Sequence, residues 1–204
     1  MRAGFNRAFR GRDEILREFF GGRNVLAGPT VLLRRDTLAE VGGYDAGLAF
    51  GTDFDLWLRL LRRHEVAVIA EPLYRYRVYP ASASFGSSRA GRTVAVAAIL
   101  QRALAGYRAE DLDRELAAMP AGPERDEWAA RAHLEVAARL EGSGWRELLP
   151  AAYLQRLEAY RLAPRLVPRG GLLDFALLRG PLSPAGLRLL ARPLLARLNT
   201  LGRR

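Results

Sequence analysis

The 204-residue chain has no cysteine, no lysine and only two histidines, His64 and His133. The absence of cysteine excludes a disulfide framework, thiol catalysis and zinc sites built from thiolates. Two histidines are too few for a histidine-rich metal centre. No apolar run reaches the roughly 18 residues that a membrane-spanning helix needs. Arg2, Arg7 and Arg10 are followed by Asp13, Glu14 and Arg17 and not by an apolar stretch, so we expect no signal peptide and a cytoplasmic protein.

Half of the residues are hydrophobic, which excludes a disordered chain. The net charge is +10, and every basic side chain is arginine. Residues 161–204 hold nine arginines and one acidic residue, so this tail carries +8 of the +10. The tail predicts either a solvated helix face or adsorption to an anionic membrane surface, peripheral at the inner face of the plasma membrane. No groove-reading motif accompanies the charge, and no nucleic acid partner is expected.

The composition changes near residue 90. Before it, glycine, aromatic and β-branched residues alternate with short apolar runs that predict buried strands between helices. These runs cover residues 31–33, 66–70 and 73–78. After residue 90, Ala, Leu, Arg and Glu dominate and favour helices. We therefore predict an α/β region over residues 1–90, a helical region over 91–162 and a basic amphipathic tail over 163–204.

The clearest predicted helix covers residues 53–63, because Phe54, Trp57, Leu58 and Leu61 follow i, i+3, i+4, i+7 spacing. Further helices are predicted over residues 13–20, 36–41, 92–107, 109–119, 123–140, 145–162 and 184–198. Glycine and proline residues separate most of these segments and favour their ends.

Two aspartates, Asp53 and Asp55, open the clearest helix, where the helix dipole favours carboxylates. Asp53 is either an N-cap or a general base that takes a proton from a hydroxyl in a cleft. The two carboxylates do not share a helical face, so only one of them should point into a given site. Trp57 either packs in the core or stacks under a sugar ring.

Three arginines in this region are candidates for pairing with a diphosphate: Arg59, Arg75 and Arg77. The alternative is a salt bridge to Asp45 or to Glu71. If residues 73–78 form a strand, Arg75 and Arg77 lie on one of its faces.

Four motifs occur in order between residues 24 and 84. They are Gly28-Pro29-Thr30-Val31-Leu32-Leu33-Arg34-Arg35, Gly42-Gly43-Tyr44-Asp45, Thr52-Asp53-Phe54-Asp55-Leu56-Trp57-Leu58-Arg59, and Glu71-Pro72-Leu73-Tyr74-Arg75-Tyr76-Arg77 followed by Ser82 and Ser84. Together they resemble the C-terminal half of the catalytic domain of a family 2 glycosyltransferase, over about residues 13–90. The resemblance implies an α/β partial GT-A fold, its acceptor-side half, followed by a mostly α-helical C-terminal region.

The resemblance also implies an activity. Asp53 would be the catalytic base of an inverting sugar transfer from a nucleotide-sugar to a glycan or lipid-linked acceptor, in cell-envelope glycan biosynthesis. The acceptor-side residues implied are Gly28, Pro29, Thr30 and Trp57. The residues implied for the diphosphate and its mobile lid are Arg75, Arg77, Tyr79, Ser82 and Ser84. A divalent metal, Mg or Mn, is expected only for the intact family enzyme.

The sequence departs from the family pattern at three points. Thr52 stands where the family has an acidic residue, and Tyr79 stands where the family has a lid histidine. No Asp-x-Asp metal motif precedes the region. We therefore expect a glycosyltransferase-related fragment that lacks the nucleotide-binding half, holds no cofactor and is inactive alone. The alternative is a non-catalytic helical module that associates with a membrane or a protein.

Overall fold

A computed structural model describes residues 9–69, 71–75, 77 and 89–167 of the chain. The chain divides into two compact units, Met1–Leu112 and Asp113–Arg204. The boundary between the units lies between residues 112 and 113, whereas the composition changes near residue 90.

The described residues form α-helices joined by loops and short 3₁₀ segments. The helices of the first unit are α1 (Arg12–Phe20), α2 (Arg35–Glu40), α3 (Thr52–Arg63), α4 (Arg89–Leu104) and α5 (Ala109–Leu112), with a 3₁₀ turn at Gly28–Thr30. The helices of the second unit are α6 (Pro123–Gly142) and α7 (Leu149–Leu162), with 3₁₀ turns at Arg114–Ala118, Arg146–Leu148 and Pro164–Leu166.

The predicted α/β region, and with it the partial GT-A fold, is wrong, because none of the described residues forms a strand. The backbone is extended at Val31 and Arg34, but Leu32 between them is 97% exposed. Ile69 and Leu73, in the other two apolar runs, are also largely exposed. A strand needs a neighbour to pair its backbone N–H and C=O groups, and a short apolar run does not supply one. Residues 70, 76 and 78 of these runs lie outside the described residues.

The predicted helix over residues 109–119 is interrupted at Asp113. This residue has an extended backbone, and its side chain accepts a hydrogen bond from the backbone N–H of Glu115 at 3.0 Å. Asp113 therefore begins the 3₁₀ turn Arg114–Ala118 and does not continue α5. An aspartate that bonds the nearby backbone competes with the helix in this way, which helix propensity alone does not show.

Helix α3 lies at the centre of the first unit. Its apolar face is buried, and Phe54 on that face stacks on Phe19 of α1 with ring centroids 4.7 Å apart and planes 18° apart. Burial of a side chain of this size stabilises the fold by about 1.5–3 kcal/mol. The helix begins after Gly51, whose φ is +77°. This φ favours glycine, and a Cβ at this position would also lie only 2.8 Å from Cδ1 of Ile99 in α4, whose side chain would have to shift.

Polar side chains complete the packing around the C-terminal part of α3. The guanidinium of Arg12, which is 1% exposed, donates to the backbone carbonyls of Leu61 and Asp111. The carbonyl of Leu61 is one of the last four in α3, which have no partner within the helix. The hydroxyl of Tyr107 donates to the carbonyl of Leu58 at 2.7 Å. These bonds hold the segments around residues 12 and 107–111 against α3.

The second unit is built on an antiparallel pair of helices. Alanines such as Ala130 and Ala159 are fully buried between α6 and α7, and their small side chains allow the two helices to approach closely. Nδ1 of His133 lies 2.7 Å from Oε1 of Gln155, so the two buried polar groups satisfy each other. Pro150 lies in the first turn of α7, where its missing N–H costs nothing.

The pH dependence of stability tests the packing of Tyr107. Burial raises the pKa of its phenol above the ordinary value of 10.0. The unfolded chain therefore loses this proton first, and the stability contributed by the phenol is complete below pH 10 and falls as the pH rises above it. We expect Tyr107→Phe to flatten this fall in the free energy of unfolding, measured by urea denaturation between about pH 10 and 12.

The same substitution at Tyr44, which is 54% exposed, is the control and should leave the alkaline decline unchanged. A Tyr107→Phe protein that loses stability as steeply as the wild type above pH 10 would contradict the burial argument.

Candidate functional site

Asp53 is the second residue of α3 and is half-buried. The N-cap of the helix is Gly51, so the N-cap interpretation of Asp53 is wrong. Oδ1 of Asp53 accepts a hydrogen bond at 2.8 Å from the backbone N–H of Phe54, one of the N-terminal donors without a partner in the helix. The carboxylate therefore stabilises the first turn and still has acceptor capacity on both oxygens.

The loop that precedes the 3₁₀ turn lies beside Asp53. Nδ2 of Asn24 donates to Oδ2 of Asp53 at 2.9 Å. A Cβ built on Gly28 would lie 3.9 Å from Cβ of Asp53 and 4.0 Å from its Oδ2. The structure thus brings together Asp53 and Gly28, two of the residues implied by the family resemblance. Pro29 and Thr30 follow Gly28 in the turn and are exposed.

Trp57 lies one helical turn after Asp53 and is only 2% exposed. Its indole Nε1–H donates to the carbonyl of Leu26 at 3.1 Å. A ring buried to this extent has no free face for a sugar, so the contacts of Trp57 are those of the packing alternative. The indole fixes the loop at Leu26 on the helix that carries Asp53.

The residues implied for the diphosphate are not brought to Asp53. Arg75 and Arg77 are exposed, and no described contact joins either of them to the carboxylate. Tyr79, Ser82 and Ser84, implied for the lid, lie outside the described residues. Most of the basic tail, residues 168–204, also lies outside them. No described helix has the length and apolar composition of a membrane span.

Asp55 faces the opposite way from Asp53, which confirms that the two carboxylates do not share a site. Its side chain is 5% exposed, and Oδ2 accepts from Nε of Arg59 at 2.9 Å. Oδ1 accepts from Arg102 of α4, which also pairs with Asp45 at 3.0 Å. Arg59 donates further to the carbonyls of Val41 and, at 2.7 Å, of Gly43.

This network shifts the pKa values of Asp45 and Arg102. The hydrogen bond from the backbone N–H of Gly47, and then the Arg102 guanidinium, lower the pKa of Asp45 below 3.8. The hydrogen bond to Asp55 is the main cause that raises the pKa of Arg102. Arg59 was a candidate for pairing with a diphosphate, with a salt bridge to Asp45 or Glu71 as the alternative. It forms a salt bridge, but the partner is Asp55.

A cleft of about 610 Å³ opens on this side of α3. Its lining includes Tyr44, Asp45, Arg59 and Arg102, and its walls continue along α3 and the end of α4. Asp53 is not among the lining residues. The cleft and the candidate base therefore lie on different faces of the same helix, and the cleft is not the acceptor site implied by the resemblance.

The described residues do not fit a divalent cation. None of them forms a group of three or more His, Asp or Glu side chains positioned to hold one. Asp53 is a single carboxylate, and Asp55 is neutralised by two guanidiniums that would repel a metal ion. The Mg or Mn expected for the intact family enzyme is therefore assigned to no described residue.

Sequence reasoning missed two residues, Asn24 and Arg102. Asn24 contacts Asp53 across 29 positions, and Arg102 contacts Asp55 across 47. Contacts over such separations leave no periodic pattern in a single sequence. The pairing of Asp55 with Arg59, in contrast, has the i, i+4 spacing of a helical ion pair and was open to prediction.

The ion-pair network predicts that replacing Asp55 destabilises the protein more than replacing Asp45. We expect Asp55→Asn to lower the free energy of unfolding by about 1.5–3 kcal/mol, because two guanidiniums lose the charge they share. Asp45→Asn is the matched control, since it contacts Arg102 from a partly exposed position and should cost less. Urea denaturation of both proteins measures the difference, and equal costs would contradict the central position of Asp55.

Comparison with known proteins adds no assignment. No protein-family model, no curated protein and no solved structure matches the chain. The ordered motifs and the geometry around Asp53 are therefore the only basis for a functional proposal.

Proposed function

We propose that this chain supplies the acceptor side of a sugar-transferring enzyme of the family 2 glycosyltransferase type, with Asp53 as its general base. The observation that carries the proposal is the position of the Asp53 carboxylate. It lies at the start of α3, held by Asn24 and bordered by Gly28. The proposal depends on this local geometry and on the ordered motifs, and not on a GT-A fold.

The chemistry requires one base and a direct displacement. The Asp53 carboxylate accepts the proton of the acceptor hydroxyl. The hydroxyl oxygen then forms a bond to the anomeric carbon of the nucleotide-sugar. The bond from that carbon to the diphosphate oxygen breaks, and the nucleoside diphosphate leaves with the bonding electrons. Attack opposite the leaving group inverts the configuration at the anomeric carbon.

The surroundings of Asp53 suit this role. The N-terminus of α3 favours the negative charge that a base needs. Among the described residues, each carboxylate oxygen accepts one hydrogen bond, and it has a lone pair for a second. Gly28 carries no side chain that could cover Oδ2, so a hydroxyl can approach from that side. The proposal assigns the nucleotide-sugar to no described residue.

Sugar transfer tests the role of Asp53. The chain is produced in its own host and assayed in extract of that host, so that a partner carrying the nucleotide-binding half is available. The donors are a panel of labelled nucleotide-sugars, and the acceptors are the membrane and soluble glycans of the host. We expect Asp53→Asn to reduce transfer by about 10²–10⁴-fold, because the amide cannot accept the proton. Asp36→Asn, an exposed aspartate in the first turn of α2, is the matched control and should retain activity.

The two ways in which this proposal can fail are distinct. Absence of transfer by the wild-type protein with every donor contradicts the proposed function. Transfer by Asp53→Asn at the rate of Asp36→Asn contradicts only the role of Asp53.

A second prediction concerns the space beside the carboxylate. A methyl group at position 28 would be in ordinary contact with Asp53, whereas a larger side chain would extend over Oδ2. We therefore expect Gly28→Leu to reduce transfer by at least about tenfold, while Gly28→Ala retains most of it. Gly142→Leu, where a Cβ meets nothing within 4 Å, controls for the added side chain. If alanine and leucine at position 28 reduced transfer equally, a backbone effect would explain the loss. The proposal that a larger side chain covers Oδ2 of Asp53 would then be wrong.

A further inference from the structure

A continuous series of hydrogen bonds connects Trp57 to Asp53. The indole Nε1–H of Trp57 donates to the carbonyl of Leu26 at 3.1 Å. The backbone N–H of Leu26 donates to Oδ1 of Asn24 at 3.1 Å. Nδ2 of Asn24 donates to Oδ2 of Asp53 at 2.9 Å. The series begins and ends on α3, one helical turn apart, and passes through the loop between α1 and the 3₁₀ turn.

The series fixes which way the amide of Asn24 points. Its oxygen faces a backbone N–H, which can only donate, and its NH₂ group faces a carboxylate, which can only accept. A flipped amide would place two donors together at Leu26 and two acceptors together at Asp53. Asn24 is thus held in one orientation by its neighbours on both sides.

The carboxylate of Asp53 is fixed in the same way. Oδ1 accepts from the N–H of Phe54 at 2.8 Å, and Oδ2 accepts from Asn24. One bond on each oxygen determines the plane of the carboxylate. The bond from Asn24 is charge-assisted and therefore stronger than a bond between neutral groups.

We propose that Asn24 is a positioning residue that holds the carboxylate of Asp53 in one orientation. Trp57 contributes by holding the loop on which Asn24 lies, and it does not touch a sugar. That the oriented carboxylate acts as a base rests on the proposed function, whereas the orientation itself does not.

The alternative is that Asn24 only forms a turn. The bond between its Oδ1 and the N–H of Leu26 spans two residues and is a turn of the loop in its own right. Asn24→Asp separates the two roles, because the aspartate retains an acceptor for Leu26 but cannot donate to Asp53. It places two carboxylates side by side instead.

A double-mutant cycle between positions 24 and 53 provides the test. We expect Asn24→Asp to lower the Tm of the full chain by about 2–4 °C through repulsion of the carboxylates. Adding Asp53→Asn restores a donor opposite an acceptor, so the double variant should regain most of that loss. In transfer assays, Asn24→Asp should lower kcat by about 10–100-fold with KM values unchanged. The double variant should remain inactive although its Tm recovers, because its carboxylate is at position 24.

The results separate the bond between Asn24 and Asp53, the positioning role of Asn24 and the proposed function. A double variant whose Tm falls by the sum of the two single losses would overturn the proposed bond between Asn24 and Asp53. Asn24→Asp with a normal kcat would overturn the positioning role. If the wild-type protein transfers no sugar, the proposed function fails, and the Tm cycle still decides whether Asn24 holds Asp53.

A spectroscopic comparison tests the contribution of Trp57. Trp57→Phe keeps a buried aromatic ring and removes only the N–H donor. We expect the side-chain NH₂ signals of Asn24 in an amide NMR spectrum to move in this variant. Trp128→Phe, which removes the indole bond to Asp113 in the second unit, is the control and should leave those signals in place. Unchanged Asn24 signals in Trp57→Phe would overturn the role given to Trp57.

Discussion

The shared ion pair of Asp55 with Arg59 and Arg102 determines how the first unit is arranged. One buried carboxylate connects α3 to α4, and Arg59 extends the connection to the turn around Val41 and Gly43. A buried carboxylate that lost these partners would be left without compensation for its lost hydration. The network therefore fixes the rotation of α3 about its own axis. Residues in a helix advance by about 100° each, so Asp53 faces about 200° away from Asp55, towards the loop of Asn24 and Gly28.

The two aspartates at the start of α3 thus have different chemical environments. Asp55 is neutralised by the guanidiniums of Arg59 and Arg102 and connects α3 to α4. Within the part of the chain that the structure describes, Asp53 is bonded by one amide and one backbone N–H, neither of which carries a charge. The same helix end places one carboxylate in the ion-pair network and the other, on the opposite face, in the position proposed for the base. The cleft of about 610 Å³ lies on the face of Asp55, so it does not point to the carboxylate proposed as the base.

The sequence predicted the parts of this arrangement that depend on local pattern. The apolar spacing of Phe54, Trp57 and Leu61 predicted α3 within one residue of its observed bounds. The motif order drew attention to Gly28 and Asp53, which the structure places side by side. The apolar runs around Leu32 and Ile69 were misleading, because apolar composition does not establish that a partner strand is present.

The remaining features depend on contacts that a single sequence does not display. The bonds of Asn24 to Asp53 and of Arg102 to Asp55 join residues that lie far apart in the chain. An asparagine before an apolar run is typical of a turn, and nothing in that pattern indicates that its amide holds a carboxylate. The interruption of the helix after α5 depended on one local bond at Asp113, which competes with a favourable helix composition.

The stereochemistry of the transferred sugar distinguishes one displacement at the anomeric carbon from two. A single base at Asp53 that activates the acceptor hydroxyl implies one displacement at the anomeric carbon. The anomeric proton signals of donor and product in an NMR spectrum report the two configurations. We expect an α-linked nucleotide-sugar to give a β-linked product. A product that retains the α configuration would contradict a single displacement.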